Sequence, residues 1–293
     1  MATAVRYVTE AQVAAYHRDG YLAVPGVIDM AQIEALRAVT EDFVERSRQA
    51  SESDALFDLD PRHTVEHPVL RRIKNPADNH PLYRWVALES PIPGIVAELI
   101  GPDVKFHHSK LNLKSEKLGA PVEWHQDAAF YPHTNDDVLA VGLLLDDATP
   151  ENGCLAVLPG SHLGPVYDHY EGEQFTGAMN REDLRLIDLS RARLLPLPAG
   201  SIHIHHYRAI HGSAENTSDA PRRLLINSYS AADAIPLTPD SSKSPLYGRI
   251  VRGAPAKVFR RTAGGWRMPP AFDRAYTSIY ELQLRANEAS KGM

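Results

Sequence analysis

Trp124-His125-Gln126-Asp127 sets an imidazole and a carboxylate two positions apart, and His211 follows Asp127 by 84 positions, in Ile210-His211-Gly212-Ser213. In an extended strand, residues i and i+2 project to one side, so His125 and Asp127 reach a common cation. Two histidines and one carboxylate on a face of an octahedron leave three positions open. That is the donor set of non-haem Fe(II) oxygenases. A His-x-Asp pair alone is weak, because a solvated surface supplies the same pair, so its weight depends on what accompanies it.

The other histidines, out of 14 in all, carry plainer expectations. His203, His205 and His206 suggest a His-x-His metal site of the cupin or zinc-hydrolase kind. A cupin site needs a glutamate shortly after the pair, and Tyr207-Arg208-Ala209-Ile210 contains none, so these side chains are expected to pack or to support other ligands. His107 and His108, as strand neighbours, are expected on opposite faces, with at most one toward a pocket. His162 has no evident ligand role. Cys154 lies in an apolar strand and reads as a small core residue rather than a nucleophile. Asn216-Thr217-Ser218 is formally a glycosylation acceptor, but not one that a cytoplasmic protein would use.

The elements that position these groups follow from pattern. Thr9-Glu10-Ala11-Gln12 is a capping box opening a short helix that stops at Gly20. Asp29 to Gln32 repeats the signal, and the run after it places Ile33, Leu36, Val39, Phe43 and Val44 on one helical face. Residues 51–82, with acids, prolines and scattered histidines, read as irregular loop. From about residue 103 the period changes to two. Leu111 and Leu113 alternate with Lys110, Asn112 and Lys114, the pattern of a half-buried strand. Val138 to Leu145 is wholly apolar, as in a strand covered on both faces. Further strands are expected at Cys154–Leu158, from Ser201, and over Arg223–Tyr229, with a closing helix over 275–290. The 22 prolines fit many turns. Together these predict one mainly-β α+β domain over residues 1–293, with a jelly roll or barrel at its centre, about 103–235.

Composition narrows the class. The chain has 293 residues, 31 Lys+Arg against 37 Asp+Glu, and a net charge of −6, with 43% apolar residues. That is globular material rather than a disordered or fibrous chain. The longest apolar run is too short to cross a bilayer, and mild acidity argues against a general nucleic-acid binder. A single cysteine and no charged-then-apolar leader predict a cytoplasmic protein.

At Arg222, eleven positions beyond His211, the sequence resembles the phytanoyl-CoA dioxygenase family of Fe(II)/2-oxoglutarate oxygenases, which includes ectoine hydroxylases. The matching pieces are Trp124-His125-Gln126-Asp127, the run Asn152 to His162, and His211-Gly212-Ser213 with Arg222. The opening Asp19-Gly20-Tyr21, followed by Val24-Pro25-Gly26, agrees as well, so the resemblance spans about residues 8–235. It implies a double-stranded β-helix, a cupin-like jelly roll with iron between its sheets. It also implies His125, Asp127 and His211 as metal ligands, and Arg222 on the distal carboxylate of 2-oxoglutarate with Ser213 beside it. Asn112 falls where ectoine hydroxylases carry an asparagine near the cosubstrate. The implied reaction consumes O₂ and 2-oxoglutarate, releases succinate and CO₂, and hydroxylates a small molecule. Desaturation, cyclisation or epimerisation would use the same ligands. Halogenases of this fold lose the carboxylate ligand, which Asp127 retains, and a non-catalytic metal-binding jelly roll would not need Arg222.

A charge count agrees. Fe²⁺ with two neutral imidazoles and one carboxylate carries +1, 2-oxoglutarate brings −2, and one arginine restores neutrality. In a dry pocket an uncompensated charge costs several kcal/mol. For the substrate, the residues singled out are His108, Lys110, Phe130 and Arg252. Between Ser241 and Arg267 lie seven basic residues and no acidic one, so the rest of the chain sums to −13. This segment is expected to fold over the iron as a lid, with Arg252 contacting a substrate anion. The alternative is a solvated face whose charges pair with acidic neighbours. The sequence does not determine oligomeric state.

Overall fold

The computed structural model describes residues 6–240, 242–265, 267–270 and 278–291. Helix α1 (Glu10–Asp19) starts on the Thr9/Gln12 capping box and ends at Gly20, whose φ of 79° lies in the left-handed region. Strand β1 (Tyr21–Val24) follows, then α2 (Met30–Ser47), capped by the Asp29 side chain. Ile33, Leu36 and Phe43 on α2 are buried, while Val39 and Val44 are half-buried beside them.

Residues 51–82 are irregular only in part, against the expectation from their composition. They carry β2 (Phe57–Leu59), β3 (Leu70–Lys74), α3 (Pro76–Asn79) and the start of α4 (Pro81–Leu88), which is followed by α5 (Ile92–Ile100). Two of the four prolines there, Pro76 and Pro81, stand at helix starts, where the missing N–H costs nothing.

Next come β4 (Val104–Lys114), β5 (Val122–His125), β6 (Val138–Leu144) and β7 (Leu155–Val157). The short pair β8 (Tyr170–Glu171) and β9 (Gln174–Phe175), α6 (Arg181–Arg185) and β10 (Arg193–Leu195) form an excursion. The chain continues through β11 (Ile202–His206), β12 (His211–Ser213), β13 (Arg222–Ala231), β14 (Ile250–Arg252) and α7 (Ile279–Lys291).

Two antiparallel sheets result. The larger runs β1-β11-β6-β13-β4-β3-β2, with β14 also on β4, and the smaller runs β10-β7-β12-β5. This is the mainly-β jelly roll, with the large sheet extended by strands from outside 103–235. One face of the large sheet meets the helices. Ile202 and Ile204 of β11, Val141 and Leu143 of β6, and Leu225 and Tyr229 of β13 join Ile33, Leu36 and Val96 in one core. Fully burying each aliphatic side chain contributes about 1.5–3 kcal/mol. The opposite face carries His203, His205, Lys110, Asn112, Arg222, Leu224 and Ile226. Those residues turn toward the small sheet, and the cavity lies between.

β4 is therefore not a half-buried strand with a wet polar side. Lys114 is 1% exposed and Asn112 7%. The alternation is present, but its polar face lines the cavity. A register shift opposite Ser228/Tyr229 leaves His107 as the extra residue of a β-bulge. The bulge reverses the alternation, so Phe106 before it and Leu111 after it both join the helix-side core. It also brings His107 and His108 to one place rather than to opposite faces. Their Nδ1 atoms lie 2.7 Å apart, and both rings pack on Tyr131, with centroids at 4.9 and 5.5 Å.

Candidate functional site

His125 ends β5, His211 begins β12, and the antiparallel register pairs the two directly. Their ring centroids are 4.1 Å apart. Asp127 opens a 3₁₀ turn (Asp127–Ala129) instead of continuing the strand, and this turn carries its carboxylate back toward the imidazoles. One ligand atom from each of His125, Asp127 and His211 lies within 4.8 Å of the others, and all three residues are buried. Among the described residues this is the one His/Cys/Asp/Glu group with such geometry. A second site at His203–His206 has no such geometry.

Backbone carbonyls set the tautomers. His125 Nδ1 lies 2.8 Å from the Glu123 carbonyl, and His211 Nδ1 lies 2.9 Å from that of Ala209. A carbonyl only accepts, so both Nδ1 atoms carry hydrogen and both Nε2 lone pairs are free for a cation. Burial lowers the His125 pKa to about 4 and that of His211 well below the usual imidazole range. Burial alone would raise Asp127, but the nearby Lys110 charge and a contact from His205 hold it well below the carboxylate range. Neutral imidazoles and an ionised carboxylate at neutral pH are the states that bind metal.

The surroundings hold these groups in place. His205 Nε2 lies 3.4 Å from Asp127 Oδ2. Gln126 points away from the site: its amide donates to the carbonyls of Arg208 (2.7 Å) and Pro165 (3.1 Å), and its backbone N–H donates to His169 Nε2 (2.9 Å). The Phe130 ring packs edge-on against His125 at 6.1 Å and Phe175 at 5.2 Å.

At the deep end, Arg222 is 3% exposed and faces Lys114 across the β13–β4 pair. Its Nη2 donates to the Gly153 carbonyl at 3.0 Å, and its Nε is buried without a partner. Lys114 Nζ donates to Ser213 Oγ at 2.9 Å and to the Ala214 carbonyl. Burial, reinforced by the Arg222 charge, lowers the Lys114 pKa to about 6. Gly153, at φ 76°, sits in this corner; a Cβ there would collide with the Ala214 carbonyl and come within 2.9 Å of Lys114 Nζ. The family-like Asn152-Gly153 thus lets three segments close on one another.

The cavity between the sheets is partly open to solvent. It is lined by the triad, by Arg222, Ser213, Asn112 and Lys110, and by two residues not expected from the sequence, Arg72 and Tyr280. Arg72 comes from β3, inside the stretch read as loop; Leu70-Arg71-Arg72-Ile73 does not alternate, because a register shift in the β2–β3 pair breaks the period there. Its Nε donates to Asn112 Oδ1 at 2.9 Å. His108 lies outside this lining, and burial takes its pKa down to about 3.

The segment 241–267 does not cover the cavity; Ser241 and Trp266 lie outside the described residues, and none of the others lines it. Arg252 sits in β14 on the edge beside Val104, its Nη1 donating to the Val251 carbonyl, and Val251 packs into the helix-side core. Pairing with β4 holds Arg252 at the Val104 end of that strand, away from the residues that line the cavity. Arg260 pairs with Asp137 at 2.6 Å and with Asp233, and Arg267 pairs with Glu173 at 2.9 Å while lying over the Tyr170 ring. Charge pairing with acidic neighbours is thus what these two arginines do. Ile279 and Tyr280 of α7 line the cavity instead. Among the described residues no helix is long and apolar enough to cross a membrane.

Comparison with known proteins agrees with this geometry. The chain is 42% identical over 172 residues to a probable alpha-ketoglutarate-dependent hypophosphite dioxygenase of Stutzerimonas stutzeri, a match covering 58% of this chain and 60% of that relative. It is 29% identical over 247 residues to L-proline trans-4-hydroxylase of Streptomyces griseoviridis, covering 76% and 87% of the two chains. Among solved structures, EctD from S. alaskensis with bound Fe superposes with a TM-score of 0.66 at 22% identity, over 88% of each chain. The alpha-ketoglutarate-dependent carbocyclase SnoK gives 0.62 at 26%, over 78% of this chain and 85% of its own. The profile described as phytanoyl-CoA dioxygenase matches residues 16–224, which include the small sheet, the whole triad and Arg222, and the chain belongs to the phytanoyl-CoA dioxygenase family of Fe(II)/2-oxoglutarate oxygenases.

Proposed function

We propose that the protein hydroxylates a small anionic molecule with Fe(II), 2-oxoglutarate and O₂, releasing succinate and CO₂. The observation that carries this reading is the convergence of two free Nε2 atoms and an ionised carboxylate beside a buried arginine with an unpartnered Nε. Orphaned buried donors are rare because each costs about 1–3 kcal/mol, and a carboxylate ligand would relieve this one. His125, Asp127 and His211 would hold the iron. Arg222 would take the distal carboxylate of 2-oxoglutarate, with Ser213 hydrogen-bonded beside it and Asn112 near the other end.

Bound there, iron with 2-oxoglutarate supplies the activation of O₂ and the oxidising power. This chain's residues supply the rest. Glu123 and Ala209 fix the ligand tautomers, and His205 steadies Asp127. Lys114 turns the Ser213 hydroxyl, and the apolar walls from Leu155, Leu224 and Ile226 limit water. A recess between the two sheets, walled by buried side chains, suits a metabolite rather than a macromolecular segment.

Hydroxylation is the reading preferred over halogenation because Asp127 keeps its place. Cyclisation or epimerisation would use the same ligands and differ only in the product. The test is a metabolite screen for substrate-stimulated succinate release, followed by mass analysis of the product. A gain of one oxygen atom supports hydroxylation. Succinate formation that no small anion stimulates would remove the reading.

A further inference from the structure

The sequence-level charge count closes at neutrality with one arginine, but the folded cavity holds more. Arg72, Lys110 and Arg222 line it against the single carboxylate of Asp127. Fe²⁺ and 2-oxoglutarate cancel each other, so Arg222 can balance Asp127 and two positive charges remain, on Arg72 and Lys110. Neither forms a salt bridge among the described residues; Lys110 feels the Asp127 carboxylate, but that group is assigned to the metal. Arg72, 7% exposed, spends its Nε on neutral Asn112 and leaves Nη2 buried with no partner. Lys110, half-buried on the strand position next inward-facing from Asn112, is bonded through its backbone in the sheet, while its ammonium makes no hydrogen bond to the described residues. The Tyr280 hydroxyl is likewise buried and unpartnered, and its ring lies 5.4 Å from the Arg72 guanidinium.

Surplus buried charge of this kind is costly unless a ligand answers it. The three groups come from three elements, β3, β4 and α7, so no local interaction in the chain accounts for their meeting. Lys110 stands apart from the corner of Arg222, Lys114 and Ser213, since it pairs in register with Ile226, four residues along β13 from Arg222, while Arg72, on Asn112, and Tyr280, within the field of Arg222, border that corner. That leaves the triad side of the cavity for a second anion beside the cosubstrate.

We propose that Arg72, Lys110 and the Tyr280 hydroxyl form a binding site for a compact oxyanion, the charged group of the substrate, and that this site determines substrate specificity. The inference rests on the 2-oxoglutarate reading above, since it assigns Arg222 to the cosubstrate. A fork of N–H donors, an ammonium and a hydroxyl suit a tetrahedral or planar oxyanion of phosphorus or carbon. Two apolar residues, Leu224 and Ile226, face the same space and limit its size to a small group.

The test uses the full-length protein loaded anaerobically with Fe(II) and saturating 2-oxoglutarate. Formation of the visible absorption band of the Fe(II)–2-oxoglutarate chelate checks the underlying reading by itself; no band means that reading fails. Calorimetric titration with inorganic phosphite, methylphosphonate and acetate then checks the inference, with glycerol as the uncharged control. At least one oxyanion should bind while the band persists, and glycerol should not bind. Arg72→Gln and Lys110→Met should each weaken that oxyanion at least tenfold, and Arg72→Lys by less than Arg72→Gln. Tyr280→Phe, which removes only a hydroxyl, should weaken it severalfold and keeps the test available if Arg72→Gln does not fold. Failure of all three oxyanions to bind the banded complex overturns the inference. So does oxyanion affinity unchanged in Lys110→Met and Tyr280→Phe, or displacement of 2-oxoglutarate by the oxyanion, which would make these residues part of the cosubstrate site.

Discussion

Arg222 and Arg223 are chain neighbours that serve opposite faces of one sheet. Arg222 is buried in the cavity with Nη2 on the Gly153 carbonyl. Arg223 turns to the other side, where its Nε and Nη2 reach the two oxygens of Asp146 at 2.8 and 2.6 Å. Strand geometry requires this division, since successive side chains point to opposite faces.

The two alanine variants should therefore fail differently. Arg222→Ala should raise the 2-oxoglutarate requirement at least tenfold, about 1.4 kcal/mol or more, as expected for a charged hydrogen bond. Arg223→Ala leaves Asp146 with Arg37 as its remaining cation and should cost about 1–3 kcal/mol of stability with little effect on cosubstrate affinity. Steady-state kinetics over a 2-oxoglutarate series, paired with denaturant melts, separates the two. Equal kinetic effects from both would remove the assignment of Arg222.

Lys114 makes a proton count the second prediction. Its pKa is lowered to about 6 by burial and the Arg222 charge, and its acceptors, Ser213 Oγ and the Ala214 carbonyl, are neutral. Near pH 7.5 the amine is mostly uncharged, and a carboxylate arriving at Arg222 favours its protonation. Binding of 2-oxoglutarate at that pH should take up a fraction of a proton, up to about one, and less at pH 5.5, where the amine is already protonated. Calorimetry in buffers of differing ionisation enthalpy reads this directly. Lys114→Met should abolish the uptake; an unchanged value would show that another group titrates.

How much of this was legible in the sequence follows from what periodicity reports. The alternation in Ile202-His203-Ile204-His205 reads as two-faced, and the fold places the isoleucines under the helices and the histidines in the cavity. For Lys110, Asn112 and Lys114 the same rule found the right partition but assigned the polar side to water. A period of two says that the faces differ, not which medium each meets. Arg72 escaped notice because β2 and β3 are three and five residues long, too short for pattern to compete with nearby prolines and acids. His107 was misplaced because a bulge is decided by the facing strand, not by the residue itself. Tyr280 joins the cavity only through tertiary docking of α7, which local sequence does not encode.

The third prediction concerns the metal. One Fe(II) should bind per chain, with nitrogen and oxygen donors at about 2.0–2.2 Å by analogy with similar ligands. Asp127→Ala and His211→Ala should abolish tight binding. His205→Ala should retain one metal per chain but bind it about 10–100-fold more weakly, because His205 orients Asp127 from 3.4 Å rather than serving as a donor. Added chloride should give no halogenated product with the wild-type protein. Loss of metal stoichiometry in His205→Ala would make His205 a ligand and change the donor count.

The last prediction is acid sensitivity of the metal-free fold. Burial lowers the pKa of His108 to about 3 and of His125, His133 and His169 to about 4, against an unperturbed imidazole near 6.5. In each case the folded pKa is depressed. The neutral form is favoured in the fold, and the stability this contributes is fully present above about pH 6.5. As pH falls from 6.5 toward 4 the unfolded chain binds protons that the folded chain refuses, so stability drops with pH. Between pH 7 and pH 5 each such histidine removes about 2 kcal/mol, at about 1.4 kcal/mol per pH unit below 6.5. Four of them approach the whole stability of an ordinary domain, about 5–15 kcal/mol. The apoprotein should therefore lose its cooperative thermal transition on approaching pH 5, and bound metal should shift the loss to lower pH, because it holds His125 in the neutral state. Thermal melts followed by circular dichroism from pH 8 to pH 4.5, with and without Fe(II) under anaerobic conditions, measure both effects. A melting temperature independent of pH down to 5 would mean that these imidazoles are hydrated in solution and that the cavity is wetter than its lining implies.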